Sequence, residues 1–411
     1  MTVRQYYDDS YCIQFKANVV EHMWLDRKPA VILNSTYFYP SSGGQPNDLG
    51  TIQKVNVTDV LVRESDHQII HSLSEEIVET EVVGEIDWSR RFDHMQQHSG
   101  QHILSQAFLR IADVETISFH LSQEASTLDL ATNQLSISMI NESEFLANRI
   151  LWEDRRVHIK YVSVTEALSL PLRKTSDRFG DSLRLIEVED FDLSACGGTH
   201  VARTGEVGLI KITKTERRAN GLRIEFRCGQ RALDDYRNKS QVVGQLVADL
   251  TTATGDLPDS VQRLREQIKT ANRQIKRQTN ELITLESTKL VQDGTSIGSA
   301  VLVSKVFENR DPAELRILAK KLVNTENTVA FLGIAGNKSY LVFSAANNIQ
   351  VNMDTALNLA LPELASPSGG GSAKFAQGGG GAASKLQVVA AIDRARHYLI
   401  DQIKEIDNDS V

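Results

Sequence analysis

Two short segments concentrate the residue types that bind metal ions. His94-Met95-Gln96-Gln97-His98-Ser99-Gly100-Gln101-His102 carries histidines at i, i+4 and i+8. On a helix that spacing puts all three on one face. Cys196-Gly197-Gly198-Thr199-His200 carries a thiol and an imidazole four residues apart, with glycines between them that let both turn onto one point. These two stretches hold four of the ten histidines in the chain. Two such pairs would supply the nitrogen and sulfur donors that zinc prefers. Taken separately, each segment also fits plainer roles: surface histidines on a helix, or a small buried cysteine.

These residues need elements to carry them. Arg90 to Arg110 reads as a helix with Ile103, Leu104, Ala107 and Phe108 on its apolar side. A strand is expected from Thr116 to Leu121. Its alternation would place Thr116, Ser118 and His120 on one face, opposite Ile117, Phe119 and Leu121. Further strand-like runs recur at 157–161, 183–188, 208–212 and 222–226. Before this region, residues 1–88 alternate apolar and polar in short runs broken by turns, the pattern of a small β-barrel or sandwich. Its most marked turn is Pro40-Ser41-Ser42-Gly43-Gly44-Gln45-Pro46, whose glycines would let backbone approach a ligand or simply close a hairpin.

After Gln230 the pattern becomes helical. Leu257, Val261, Leu264, Ile268, Ala271, Ile275, Leu282 and Leu285 follow spacings of four and three, a heptad seam. From 294 onward, apolar strand runs at 301–303, 329–333 and 340–344 mix with helices at 313–323 and 386–406, a small α/β unit. It contains Gly369-Gly370-Gly371 and Gly378-Gly379-Gly380-Gly381, flanking Lys374 and Gln377. Because these runs precede a helix, they read as loops with N–H groups turned toward an anion. The expected class is α+β, with a β-barrel at 1–88, a mixed α/β metal-binding domain at 89–230, a helical hairpin or coiled-coil arm at 231–293 and a glycine-rich α/β domain at 294–411. The seam suits either an intramolecular hairpin or a homodimer through the arm or the C-terminal domain.

The composition is that of an ordinary globular chain: 411 residues, 41% hydrophobic and 24% charged, with a net charge of -8. Three cysteines and no apolar N-terminal segment give the expectation of a reducing, cytoplasmic setting. The acidic balance does not suit a protein that coats nucleic acid. Between Arg203 and Arg231, however, eight basic residues outnumber three acidic ones. They include Arg217, Arg218 and Arg223, and they form either a phosphate-binding patch or a solvated strand face.

In combination the motifs resemble a known family. His98-x-x-x-His102 followed by Ile103-Leu104, and then Cys196-Gly-Gly-Thr-His200, are similar to the editing domain of alanyl-tRNA synthetase and to its free-standing relatives, the AlaX proteins. Phe38-Tyr39-Pro40-Ser41-Ser42-Gly43-Gly44-Gln45-Pro46 resembles their glycine-rich motif, departing at Ser42 where a third glycine is common. Thr204-Gly205-Glu206-Val207-Gly208 matches the stretch after the Cys-His pair, and the terminal unit resembles the DHH-associated domain that ends the synthetase. The resemblance covers nearly the whole chain and is to the long form.

That resemblance implies zinc held by His98, His102, Cys196 and His200, with His94 a rival ligand or a supporting residue. It implies hydrolysis of amino acids wrongly attached to alanine tRNA, whose acceptor end is the partner, with serine preferred and glycine the other substrate. Thr116 is its match for the residue that reads the serine hydroxyl. Gln101 and His120 are the catalytic candidates. Ser118, Gly43, Gly44 and Gln45 are further candidates for contact with the substrate, and Arg217, Arg218, Arg223 and Lys374 for contact with tRNA. No stretch is left for an aminoacylating domain, so editing in trans is expected. The competing readings are a tRNA-binding module with a structural zinc and a phosphoesterase. The second lacks an Asp-His-His motif or an aspartate cluster for two metals.

Overall fold

The computed structural model describes residues 1–122, 125–173, 182–219 and 221–409, the last five of these as backbone only. The chain forms two compact units, Met1–Asp249 and Leu250–Val411. The division passes between the two long helices that read as one arm.

The first unit opens with β1 (Val3–Arg4), which pairs in parallel with β4 (Ser35–Thr36). A six-stranded barrel follows, made of β2 (Gln14–Leu25), β3 (Lys28–Leu33), β5 (Gly50–Ile52), β6 (Val55–Val62), β7 (Ile69–Leu73) and β8 (Glu81–Ile86). It closes in the order β2-β3-β7-β6-β5-β8. Alternation along β2 sends Phe15 and Ala17 inward, where they meet Val31, Leu33, Val60 and Val82.

Helix α1 (Trp88–Ala112) leaves the barrel directly, its first turn capped by the Asp87 carboxylate on the Arg90 N–H. Its apolar residues Met95, Ile103, Leu104 and Phe108 pack on a four-stranded sheet. That sheet comprises β9 (Thr116–Leu121), β10 (Ser126–Leu130), β14 (Ile210–Arg218) and β15 (Gly221–Cys228), ordered β14-β15-β10-β9. Helix α2 (Ile137–Trp152) adds Ala147, Ile150 and Leu151 to the same core. A second sheet runs β11 (Val157–Ser163), β12 (Ser182–Val188) and β13 (Asp192–Ala195), with the single turn α3 (Val164–Ala167) between the first two. The unit ends in α4 (Gly229–Asp249).

The second unit begins with α5 (Leu257–Gln292). Along it the heptad positions Val261, Leu264, Ile268, Ile275, Leu282 and Leu285 are all exposed. The strands β16 (Thr295–Ile297), β17 (Ala300–Phe307), β18 (Thr328–Ile334), β19 (Ser339–Ala345), β20 (Ser368–Gly371) and β21 (Phe375–Gly380) form one sheet, ordered β16-β17-β18-β19-β21-β20. Helix α6 (Pro312–Leu322) and the end of α5 cover one face. Helices α7 (Met353–Ala360) and α8 (Lys385–Asp409) cover the other.

The glycine runs lie in strands, β20 at the sheet edge and β21 between β19 and β20, and not in the anion-facing loops that their position before a helix suggests. Gly369, Gly370 and Gly371 pair with Gly378, Gln377 and Ala376. A Cβ on Gly379 would lie 2.1 Å from the Ser339 carbonyl oxygen, so these glycines permit close strand approach.

One ion pair ties the barrel to α1. The fully buried Arg91 guanidinium reaches both Asp48 carboxylate oxygens from Nε at 3.0 Å and donates to the Ser10 carbonyl at 2.8 Å. Asp48 also accepts from the Tyr39 N–H at 2.6 Å. Arg91→Met would leave the Asp48 charge buried and unpaired. We expect a loss of about 3–5 kcal/mol in chemical denaturation, whereas a loss under roughly 1 kcal/mol would place the anchoring of α1 elsewhere.

Candidate metal centre

Helix α1 is enclosed on nearly every side, and its buried residues include His94, Gln96, Gln97, His98, Ser99, Gln101, His102 and Ser105. A helix this polar is stable inside a protein only if its side chains find partners, and most of them do. His98 and His102 lie on one face. Strand β13 ends at Ala195 and delivers Cys196, and the Gly197-Gly198 turn brings His200 back beside it. The four side chains His98, His102, Cys196 and His200 each offer one donor atom, all within 4.8 Å of one another. The Cys196 Sγ lies 3.4 Å from His98 Nε2 and 3.3 Å from His200 Nε2. The imidazole centroids are 4.5 to 5.2 Å apart.

The far nitrogen of each ring is already engaged. His98 Nδ1 lies 2.8 Å from Gln45 Oε1, His200 Nδ1 is 3.1 Å from Ser99 Oγ, and His102 Nδ1 is 3.2 Å from Asp192 Oδ2. Asp192 is held in turn by Arg173 at 2.6 Å. Outer partners of this kind fix ring orientation and leave Nε2 free for a metal ion. Burial by itself would raise the Cys196 thiol, but the facing His98, His200 and His102 hold it well below its usual value. Burial pushes His200 down to about 3. Three imidazole nitrogens and a readily ionised thiol make a donor set for a soft or borderline cation. The residues therefore fit a metal ion.

Glycine is required at two places around this cage. A Cβ on Gly198 would sit 2.2 Å from the His98 ring, and one on Gly100 would sit 2.3 Å from the Cys228 sulfur. The Gly43-Gly44 turn, with φ of +54° and +83°, closes between Ser42 and Gln45. Ser42 stands outside the positive-φ pair, so a side chain there is no burden to the backbone. Gly44 packs against Phe119, whose ring lies 5.4 Å from His98.

Not every expected residue joins the centre. His94 is buried but outside the donor cluster, with Nδ1 unpartnered. Burial, with Arg90 and Arg231 nearby, pushes it down to about 3. Gln45 is wholly occupied: its Oε1 also takes the Thr199 N–H and its Nε2 donates to Thr199 Oγ1 at 2.9 Å. A bulge in β9 breaks the expected alternation. Thr116 pairs with Leu130 but Ser118 already pairs with Asp129, so Ile117 is the extra residue. Thr116 thus shares the inward face with Phe119 and Leu121 and donates to Ser105 Oγ at 2.8 Å. Ser118 and His120 face outward and are exposed. Ser118 donates to Asp129.

The basic stretch is largely neutralised. Arg203, Lys211, Lys214, Arg218, Arg223, Arg227 and Arg231 all sit in ion pairs, Arg223 on Asp129 with two nitrogens. Arg217 has no ion pair among the described residues. Lys374, in the second unit, donates to the Asn347 and Ile349 carbonyls and closes a loop. Cavities of about 390 and 530 Å³ open beside Arg223 and beside His94, and neither is lined by the four donors.

Asp192, Ser99 and Arg184 brace the centre without a motif to mark them. Arg184 holds the Cys196 and Gly198 carbonyls. Only Ser99, inside the histidine segment, had a signal by position.

The family model for the threonyl and alanyl tRNA synthetase second additional domain matches residues 183–225, a span that holds Asp192, Cys196 and His200. The alanyl-tRNA editing protein AlaX-L of Pyrococcus horikoshii is 28% identical over 411 residues, covering 97% of this chain and 100% of that protein. The alanine–tRNA ligase of Pyrococcus abyssi is 30% identical over 389 residues, and there the chain spans 41% of the ligase. Among solved structures, the C-Ala domain of Aquifex aeolicus alanyl-tRNA synthetase is 31% identical, covering 26% of this chain and 97% of that domain, with a TM-score of 0.24.

Gln45→Leu and Asp192→Asn should each weaken metal affinity by about 10–100-fold without removing a ligand. Competition with a chromophoric chelator measures this, and unchanged affinity in both would show that the rings are held by other means. Over nearly all its residues, the chain is similar to the alanyl-tRNA editing protein AlaX-L and to part of the alanine–tRNA ligases.

Proposed function

We propose that the protein is an aminoacyl-tRNA deacylase that hydrolyses wrongly charged alanine tRNA in trans, with the seryl ester preferred, and that its metal is zinc. The observation that carries this reading is the cage of three imidazoles and one thiolate with every Nδ1 engaged. The full-length likeness to an alanyl-tRNA editing protein supports it. The need for such an activity is physical. A pocket built for alanine cannot strongly reject serine, which adds only a hydroxyl, so a second site must remove it.

In the reaction, water adds to the ester carbonyl and the bond to the ribose oxygen breaks. A proton passes from water to that oxygen, freeing serine and the ribose hydroxyl. Zinc, when bound, supplies a Lewis acid that polarises the ester or orients the acceptor end. The chain's own residues do the rest. Gln45, Ser99 and Asp192 fix the rings, and Phe119 with Gly44 walls the approach. Thr116, on the inward face of β9, would meet the amino-acid side chain, with Gln101 linked to it through Ser105. His120 and Ser118, on the outward face of β9, have no part in this scheme. For tRNA, Arg217 is the exposed cation best suited to a phosphate, and Arg217→Ala should weaken binding and lower its salt slope by about one. A binding curve with unchanged salt dependence would remove it.

Four protein ligands make a closed shell, which favours a second reading: a tRNA-binding module with a structural ion. Turnover separates the two. Purified protein is mixed with seryl, glycyl and alanyl esters of alanine tRNA, and release of the amino acid is followed. Fastest release of serine is expected, and Cys196→Ala should lose metal together with activity. Wild-type protein loaded with metal that releases none of the three would leave only the binding module. A glycine preference would overturn the substrate assignment alone.

A further inference from the structure

Ser105, one turn beyond His102 on α1, belongs to no motif and its hydroxyl bonds to none of the four donors, yet it joins two residues of the proposed pocket. Its hydroxyl oxygen lies 2.8 Å from Gln101 Nε2 and 2.8 Å from Thr116 Oγ1. Ser105 and Gln101 are buried, with 1% and 2% exposure, and Thr116 is half-buried. The Gln101 Oε1 is buried with no hydrogen-bond partner. An unsatisfied amide oxygen at such depth costs free energy unless something arrives to donate to it.

We infer that Ser105 is a positioning residue for serine selection, acting through Thr116; this rests on the deacylase reading above. An amide N–H can only donate, so the Ser105 oxygen is an acceptor toward Gln101. It has a second lone pair, and Thr116 gives its single hydroxyl proton to it. Thr116 Oγ1 is left with lone pairs alone. The polar chain therefore ends in two acceptors, Thr116 Oγ1 and Gln101 Oε1. An aminoacyl ester brings an α-ammonium, which every amino acid has, and a seryl ester brings a hydroxyl proton as well. Alanyl and glycyl esters leave one acceptor unpaired, and that penalty is the discrimination. Without Ser105, Thr116 is free to rotate its proton elsewhere, and Gln101 loses the bond that fixes its amide.

The test measures kcat/KM for seryl and alanyl esters of alanine tRNA on metal-loaded wild type, Ser105→Ala, Ser105→Thr, Thr116→Val and the Ser105→Ala/Thr116→Val pair. Ser105→Ala should lower the serine-over-alanine ratio roughly three- to tenfold, with one metal still bound per chain. Ser105→Thr, which keeps the hydroxyl, should restore the ratio. The double variant should match Thr116→Val alone, because the two residues act on one hydrogen bond. Three results would overturn the inference while leaving the deacylase intact: an unchanged ratio in Ser105→Ala, an equal loss on both esters, or effects that multiply in the double variant. Failure of wild type to hydrolyse either ester would instead bring down the deacylase reading, and this inference with it.

Discussion

Three imidazoles must turn the same ring nitrogen toward one thiolate, and most of what surrounds α1 follows from that demand. A histidine ring free to flip offers either nitrogen. Each of these is fixed from behind by a different element: Gln45 from the glycine turn, Ser99 from α1 itself and Asp192 from β13. The glycine turn therefore reaches the helix on one side and β13 of the second sheet on another. The Arg91–Asp48 pair anchors its start and Arg184 holds the Cys196 turn. Beside the cage, Gly198 and Gly100 stand where a Cβ would strike the His98 ring and the Cys228 sulfur.

The arrangement separates two tasks. In the proposed deacylase the cage would fix the reacting end, and the chain of Gln101, Ser105 and Thr116 would offer acceptors to the amino acid. His98 and His102 share α1 with Gln101 and Ser105, so helix geometry sets the spacing among these four, while Thr116 comes from β9 and Cys196 and His200 from the turn after β13. The bulge at Ile117 makes this possible, since regular alternation would have turned Thr116 to the same side as Ser118.

The donor segments were legible because helical and turn geometry is local, although spacing left His94 a rival and only the family resemblance singled out His98 and His102. An x3 spacing states which side chains share a face, and two glycines between Cys196 and His200 state that a turn is allowed. The barrel was legible in the same way, from period-two alternation such as that of β2. What failed to show was non-local. Gln45 pairs with a residue 53 positions away and Asp192 with one 90 away, so neither role has a spacing to read. The β9 bulge depends on a neighbouring strand. The basic stretch lost its patch because Glu144, Asp129 and Asp93 arrive from other elements. The glycine runs read as loops because a glycine-rich strand has no side-chain periodicity to betray it.

The central claim is that one ion sits among His98, His102, Cys196 and His200. X-ray absorption at the metal edge of the purified protein tests it most directly. The expected spectrum fits one sulfur near about 2.3 Å and three nitrogens near about 2.0–2.1 Å, in a four-coordinate shell. A shell of oxygen and nitrogen without sulfur, or protein that cannot be loaded with zinc, would contradict it.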